Sequence, residues 1–445
     1  MPFVTKVLSQ VPGRQLVALR EVRLEEDRYL RDHTLGRDIS AAEPDLAALP
    51  VMPLTMSMEM LAEAAVALVP GRRLVGMRDV RAHRWLALEG ETLALRIVAT
   101  ARAGAEDREV AVQIFEGADA SASAAPIVEG IMVLGDSYPA APLAGALALR
   151  NERPSKWAPE RLYADLMFHG PVFRGVVSMD RWGEDGAEAT LRISSPEGLF
   201  ASTAAPALAT DPVLMDQPGQ VVGFWIAEYL ETGRVVFPFH LEALHLYGPA
   251  ASGPLKCQAR IALVGDQQVR SDLDVVDSSG RVRARLVGWW DRRFDVPEGF
   301  LRFIHAPREV VLSERWPGPV GGAAAVGGLR AHRLAMESFP PAFFSAHGGL
   351  WQRALAHVAL GSRERERWRQ LRTPEPRRLE WLLGRVAAKD VPTRTGVPCP
   401  RARGRARSAA CRSFRSRTPV ASRWRSWGTG PPRPAWASTS SRRGG

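Results

Sequence analysis

The stretch PLTMSMEMLAEAAVALVP, residues 53–70, is a long, almost wholly apolar segment around which we expect the fold to be organised. It opens on a proline, which suits a first helical turn, and it closes at a Pro-Gly pair, so it predicts one helix. Apolar side chains occupy most of its circumference, because polar groups occur only at Thr55, Ser57, Glu59 and Glu63. A helix that is apolar on nearly every side is buried. We therefore expect a long helix enclosed by other elements of the fold.

Strand-like alternation of apolar and polar residues follows this helix over 91–98 and 109–115. After a linker rich in Ala and Pro (138–154), the same pattern returns between about 155 and 300. It contains a helical segment over 211–230 and a hairpin turn at Asp277–Gly280. A unit of one helix and several strands is thus predicted twice, in residues 1–140 and 155–305, and the fold class is α+β.

The net charge of +11 is concentrated at one end of the 445-residue chain. Residues 391–445 contain thirteen Arg and no Asp or Glu, which accounts for the whole excess. The segment lacks periodicity, so we expect it to be disordered. Its abrupt change of composition after Asp390 is typical of a GC-rich gene read in the wrong frame. The alternative is a natural Arg-rich arm that binds nucleic acid or a membrane surface, although no nucleic-acid-reading motif accompanies it.

The cysteines and the apolar segments of the sequence indicate in which cellular compartment the protein is found. Only Cys257, Cys399 and Cys411 occur, which gives neither a disulfide framework nor a metal-binding spacing. No window approaches the roughly 20 apolar residues of a membrane span, and the start lacks the apolar core of a signal peptide. We expect a soluble cytoplasmic protein.

Two residues are candidates for acid–base chemistry. His33 stands in Asp32-His-Thr-Leu-Gly36, and its imidazole can titrate near neutral pH. Asp216 and Gln220 lie four apart, hence on one helix face, and apolar neighbours would raise the pKa of Asp216 by burial, making it a proton donor. The alternatives are an ordinary loop or core histidine and an exposed aspartate at a helix start.

Two more segments are uninformative when each is taken alone. Phe168-His-Gly-Pro-Val-Phe173 is a compact turn between aromatic residues, and Val236-Phe-Pro-Phe239 would be an edge strand.

Taken together and in this order, the four segments resemble the dehydratase domain of polyketide synthases, over about residues 10–305. The family pattern is carried by His33 and Gly36, by Gly170, Pro171 and Phe173, by Asp216 and Gln220, and by Pro238 and Phe239. The usual first element is His-x-x-x-Gly-x-x-x-x-Pro. Here the glycine comes one residue early and Ala42 stands where the proline would be, which affects the loop and the pocket rim. Met52-Pro-Leu-Thr and Phe168-His-Gly-Pro resemble iterative enediyne-type synthases.

The resemblance implies a double hotdog, in which two long helices are each wrapped by an antiparallel sheet. It also implies that His33 removes the C2 proton of a 3-hydroxyacyl thioester while Asp216 protonates the leaving hydroxyl, and that the other pattern residues shape the site. The substrate would arrive on the phosphopantetheine arm of an acyl carrier protein, beside other synthase domains, with no metal or redox cofactor and no nucleic-acid or membrane partner. The alternative function is a catalytically idle hotdog scaffold or acyl-binding module, which has no need of a base paired with an acid.

A second resemblance lies in Arg377–Asp390, which is similar to the Trp-to-Lys-Glu motif of phosphopantetheinyl transferases. It implies that Lys389 assists phosphate chemistry and that Asp390 helps bind Mg²⁺, in a partial helical segment over 330–390 without transferase activity. A solvated amphipathic helix is the alternative.

Overall fold

The computed structural model describes residues 1–390 apart from 37–38, 40–44, 103, 105–107, 119–123, 231–234, 249–252, 308, 316–331 and 335. The segment 391–445, for which we expect disorder and a shifted reading frame, lies outside the described residues. The described residues all fall within one compact unit, Met1–Gly404. No helix among them is long and apolar enough to span a membrane.

The first half of the chain contains one long helix and six long strands, two of which fall on the stretches whose alternation predicts strands. The helix is α1 (Leu54–Leu68). The strands are β1 (Lys6–Val11), β2 (Gln15–Val22), the short pair β3 (Thr34–Leu35) and β4 (Leu49–Pro50), β5 (Arg73–Ala82), β6 (Leu93–Ala101), β7 (Glu109–Glu116) and β8 (Val128–Gly135).

The second half repeats this composition after a three-residue helix, α2 (Pro159–Arg161). Its long helix is α3 (Pro212–Tyr229), which begins at a proline and is capped by Asp211, whose side chain accepts a hydrogen bond from the Leu214 amide at 3.0 Å. Its strands are β9 (Val176–Gly183), β10 (Gly186–Leu191), β11 (Val235–Leu246), β12 (Leu255–Val264), β13 (Gln268–Val276) and β14 (Val282–Phe294).

One twelve-stranded sheet joins the halves. Its strand order is β1-β2-β6-β7-β8-β5-β11-β14-β13-β12-β10-β9, and every neighbouring pair is antiparallel. Each half contributes six adjacent strands, and the halves meet where β5 pairs with β11. α1 packs on strands of the first half, α3 packs on strands of the second, and the two helices contact each other. The structure therefore has two long helices packed on one continuous sheet.

Two carboxyl groups of α1 anchor other segments of the chain: Glu59 binds the second half, and Glu63 binds the N-terminal end of the first half. Glu59 accepts hydrogen bonds from the Ala209 and Thr210 amides at 2.6 and 2.7 Å, just before α3 begins. Glu63 accepts from the Phe3 amide at 2.7 Å. Burial raises the pKa of Glu59 to about 8 and that of Glu63 to about 7. The few polar positions of this helix therefore fix the chain on either side of it.

The C-terminal part of the described chain packs against the rest instead of standing apart. It comprises α4 (Glu298–His305), the strand pair β15 (Glu314–Arg315) and β16 (His332–Arg333), α5 (Ala346–Ala359), α6 (Ser362–Gln370) and α7 (Glu375–Asp390). Trp351 of α5 lies 6.0 Å from Phe237 of β11 and 5.8 Å from Phe294 of β14, between ring centroids. The apolar cluster around it also contains Leu35 and Val51. Segment 330–390 is therefore part of the structure around the site described next.

Candidate active site

A narrow cavity of about 70 Å³ lies where the two halves of the sheet meet. Its wall takes residues from α1, α3, β11 and β14 and from the turns beside His33 and after β5. The polar or titratable groups that line it are His33, Ser57, Arg84, His169, Asp216, Gln220 and Asp291. The remaining wall is mostly apolar and aromatic, which is typical of a ligand pocket.

His33 is held by its neighbours on two sides. Its Nδ1 atom lies 2.6 Å from the Val51 carbonyl oxygen, and its backbone forms an isolated β-bridge with His169. The Phe168 ring meets the imidazole edge-on at 4.8 Å between centroids. Since Nδ1–H donates to the carbonyl, Nε2 carries the lone pair of the neutral ring.

The predicted Gly-Pro-x-Phe turn packs directly against this segment. The Gly170 amide donates to the Asp32 carbonyl oxygen at 2.7 Å, and a Cβ at Gly170 would lie only 2.0 Å from Asp32 Oδ1. Pro171 opens the short turn that ends at Phe173, whose buried ring lies 5.5 Å from His33. The glycine thus permits the close approach that aligns the two segments.

Asp216 enters the cavity from α3, and Gln220 orients it. Gln220 Nε2 donates to Asp216 Oδ2 at 2.7 Å and to the Phe173 carbonyl oxygen at 2.9 Å. Its Oε1 accepts from the Tyr163 hydroxyl at 2.6 Å. The four-residue spacing therefore does what the sequence predicts: the amide and the carboxyl group share one helix face.

His169 is a third titratable group, which the sequence analysis included only as part of a turn. Its Nε2 lies 3.3 Å from Asp216 Oδ2, and its ring stacks on Phe168 at 4.4 Å. Its Nδ1 is buried without a hydrogen-bond partner in the described part of the chain. Ligand atoms of His33, His169 and Asp216 all lie within 4.8 Å of one another, which makes them the one group among the described residues that could hold a metal ion.

Burial sets the protonation of His33. It lowers the pKa of the imidazole from 6.5 to about 4, with His169 acting in the same direction and Asp216 opposing. The ring is therefore neutral near pH 7, as a general base requires.

The prediction for the pKa of Asp216 is wrong in direction. Burial raises it, as the apolar neighbours indicate, but the hydrogen bond from His169, the charges of His169 and His33 and the hydrogen bond from Gln220 outweigh burial and lower it below 3.8. The sequence could not show this, because His169 lies far from α3 in the chain. Asp216 by itself is a carboxylate near neutral pH.

Of the site-shaping residues predicted from the sequence, Gln220 and Pro238 line the cavity, and five do not: Gly36, Gly170, Pro171, Phe173 and Phe239. Pro238 lines the cavity together with Val236 and Phe237, but Phe239 does not. The β11–β14 register shifts between Pro238 and His240, so Phe239 is the extra residue of a bulge and packs under the Arg292 guanidinium. Gly36 has a φ of +112° and lies against Val358 of α5.

Replacing Gly36 by alanine is expected to destabilise the fold by about 1–3 kcal/mol. The new Cβ would lie 2.6 Å from Val358 Cγ1, in a backbone conformation that side chains disfavour. Adding Val358→Ala should recover part of the loss, because it removes the contact but not the backbone strain. Denaturant unfolding of the three variants measures both parts, and a Gly36→Ala variant as stable as the wild type would contradict this packing.

Lys389 and Asp390 are both engaged in packing. The Lys389 ammonium donates to the Ala359 carbonyl oxygen at 2.9 Å and pairs with Glu364. The buried Asp390 carboxylate accepts from the Leu312 and Ser313 amides, each at 2.8 Å. These contacts fix the end of α7 to the C-terminal helices.

Comparison with known proteins gives a family match and a fold match. Residues 144–296 match the family model described as "Polyketide synthase dehydratase N-terminal domain". A search of curated protein sequences found no match.

Among solved structures, the chain is similar to the dehydratase domain from the CurF module of curacin polyketide synthase, with 19% identity and a TM-score of 0.51. The likeness covers 66% of this chain and 99% of that one. The dehydratase domain from the CurJ module of the same synthase gives 14% identity and a TM-score of 0.50, over 66% and 98% of the two chains. These likenesses show that the fold is the double hotdog of such domains.

Proposed function

We propose that the chain, which contains a polyketide synthase dehydratase domain, removes water from a 3-hydroxyacyl thioester with His33 as the base and with Asp216 and His169 on the acid side. The product is a 2,3-enoyl thioester. One observation carries the proposal: His33 and Asp216 come from opposite halves of the double hotdog, yet both line one mostly apolar cavity, with ligand atoms within 4.8 Å.

The base step follows from the state of His33. The thioester carbonyl acidifies the C2 proton, and the Nε2 lone pair of the neutral imidazole can accept it while Nδ1–H stays on the Val51 carbonyl oxygen. Phe168 and Phe173 pack around the ring and exclude water from it. The proton from C2 then resides on His33, and the electron pair forms the new C2–C3 π bond as the C3–O bond breaks.

The acid step needs a proton near C3, and Asp216 by itself is a carboxylate. We assign this proton to the Asp216–His169 pair, across the 3.3 Å contact between Oδ2 and Nε2. Gln220 keeps the carboxyl group in place while the pair transfers the proton to the leaving hydroxyl, which departs as water. The proton gained by His33 and the proton lost by the pair balance, and return of the proton from His33 to the pair completes the cycle.

Replacing His169 by phenylalanine tests this assignment. The variant keeps a ring to stack on Phe168, and loss of the proton store should lower kcat at pH 7 by roughly tenfold to a hundredfold. If Asp216 acts alone, kcat is expected to rise in this variant. Removing His169 removes the hydrogen bond and the charge that lower the pKa of Asp216, so Asp216 would more often carry the proton. Unchanged or increased kcat would therefore contradict the pair.

The substrate carrier and the subfamily belong to the same proposal. We propose that the acyl chain arrives on phosphopantetheine of an acyl carrier protein, beside other synthase domains, because the dehydratase match implies such partners. Met52-Pro-Leu-Thr and Phe168-His-Gly-Pro support an enediyne-type relationship. We assign no transferase activity to segment 330–390, because the contacts of Lys389 and Asp390 give these groups packing roles.

A turnover assay distinguishes the proposed dehydratase from an idle scaffold or acyl-binding module. A purified chain given a 3-hydroxyacyl pantetheine thioester should produce the conjugated enoyl thioester, which ultraviolet absorbance follows directly. Binding of the thioester without any change in absorbance would favour the scaffold and overturn the dehydratase.

A further inference from the structure

Asp291 is a buried carboxyl group in the cavity that the mechanism above does not use. It lies on β14 with 1% of its surface exposed and lines the cavity together with His33 and Asp216. Its Oδ2 atom has no hydrogen-bond partner in the part of the chain that the structure describes. Buried polar atoms are rarely left in this state, because such a group loses its hydrogen bonds to water and gains none in return.

A second unpaired group accompanies it. Trp289, two residues earlier on the same strand, lines the same cavity, and its buried indole N–H has no partner among the described residues either. The indole ring is fixed from the other side, since its Cζ2 atom lies 3.0 Å from the Cβ position at Gly219 of α3. Residues two apart on a strand face the same way, so one side of β14 presents both polar groups to the cavity.

The charge state of Asp291 limits what it can bind. Burial raises the pKa of Asp291 to about 8; the charge of Asp216 acts in the same direction, and the Trp289 indole N–H, which approaches the carboxyl group without completing a hydrogen bond, opposes it. The group is therefore mainly a carboxylic acid near pH 7, with one O–H donor and one carbonyl acceptor. Trp289 adds a second donor. Two donors and one acceptor suit a neutral oxygen function, either a hydroxyl or a carbonyl group.

We propose that Asp291 and Trp289 form a polar subsite of the acyl cavity, which binds an oxygen atom of the substrate chain other than the 3-hydroxyl group. The inference rests on the proposed function, because it takes the bound acyl chain as the occupant. It names the substrate class more closely: acyl chains that carry a second hydroxyl or keto group. The wall around the subsite is largely apolar, so a chain without such a group would leave the two polar groups with only their incomplete contact to each other.

Paired substrates test the subsite. The full chain is given 3-hydroxyacyl pantetheine thioesters of equal length, one without and several with a second hydroxyl group, placed at successive carbons. For one placement the wild type should show a kcat/KM about tenfold above that of the plain thioester, the factor expected for a buried hydrogen bond. Asp291→Leu should reduce the ratio to about one. Asp291→Asn should retain it, because the amide also offers a donor and an acceptor.

The outcomes separate this inference from the proposed function. If the plain thioester turns over but no placement is preferred, or if the preference survives in Asp291→Leu, the subsite is wrong and the dehydratase stands. If no thioester is turned over, calorimetry measures the affinity of the protein for the same thioesters. Tighter binding of one hydroxylated chain by the wild type, but not by Asp291→Leu, would support the subsite without the dehydratase function. Equal affinities in every variant would mean that water occupies the two groups, and would overturn the inference.

Discussion

Replacing His33 by alanine is expected to lower the rate of dehydration by roughly 10²–10⁴, the range for loss of a general base. No other described group offers an equivalent lone pair at this position, because Nε2 of His169 is directed to Asp216. His33→Phe keeps the aromatic packing against Phe168 and Phe173 and should lose the same activity. Initial rates with a soluble 3-hydroxyacyl thioester measure the effect, and thermal unfolding checks that each variant is folded.

His83 provides a matched control for that variant. It is exposed and pairs only with Glu129 in the described structure, a contact of the kind that contributes little to stability. His83→Ala should therefore dehydrate at the wild-type rate. The pH profile gives a second check: since burial lowers the pKa of His33 to about 4, protonation of the base should reduce kcat/KM only as the pH falls through that value. Near-native turnover of a folded His33→Phe protein would exclude His33 as the base.

Asp216→Asn is expected to lower turnover by a similar factor, roughly 10²–10⁴. The side chain keeps its size, but it can no longer share a proton with His169 across the contact in the cavity. Binding of the thioester should persist, because the apolar wall is unchanged. Kinetics should therefore show a large loss in kcat and a small change in KM.

The control for Asp216→Asn is available on the same helix. Asp211 caps α3 at its start, and asparagine caps a helix about as well as aspartate. Asp211→Asn should leave kcat close to the wild-type value. If kcat falls equally in both variants, the effect of Asp216→Asn comes from damage to α3 and not from loss of the acid group.

The main helix and strands could be predicted from the sequence, because the periodicity of apolar residues involves only residues that are close together in the chain. The apolar circumference of residues 53–70 and the alternation over 91–98 and 109–115 follow from burial on one or both sides. The structure has a helix over Leu54–Leu68 and strands over Leu93–Ala101 and Glu109–Glu116. The candidate pair of His33 and Asp216 came from the resemblance to a family. Spacing alone left both residues with ordinary structural explanations.

The missed features depend on contacts between distant parts of the chain. His169 stood in a segment quoted for its turn, and its link to Asp216 exists only after the two halves meet. The position of Phe239 depends on a bulge in the β11–β14 pair that alternation does not reveal. Asp291 did leave a local signal, since it stands two residues after the buried Trp289 and therefore on the same, buried face of β14. A carboxyl group on a buried strand face marks a candidate site.

The C-terminal helices illustrate a different limit. Their amphipathic pattern predicts helices, and α5 and α7 form as expected. The pattern does not say which surface they cover, and the structure packs Trp351 behind Phe237 of the cavity wall. A domain boundary drawn from composition therefore separates residues that belong to one apolar cluster.

The most direct measurement is the mass of a 3-hydroxyacyl chain attached to a carrier protein, before and after incubation with the full-length protein. The wild type should remove one water from the chain, and His33→Phe and Asp216→Asn should remove none over the same time. Addition of the enoyl product should show the reverse hydration with the wild type only. A wild-type protein that binds the loaded carrier but leaves its mass unchanged, or a His33→Phe protein that removes water at the wild-type rate, would contradict the central claim.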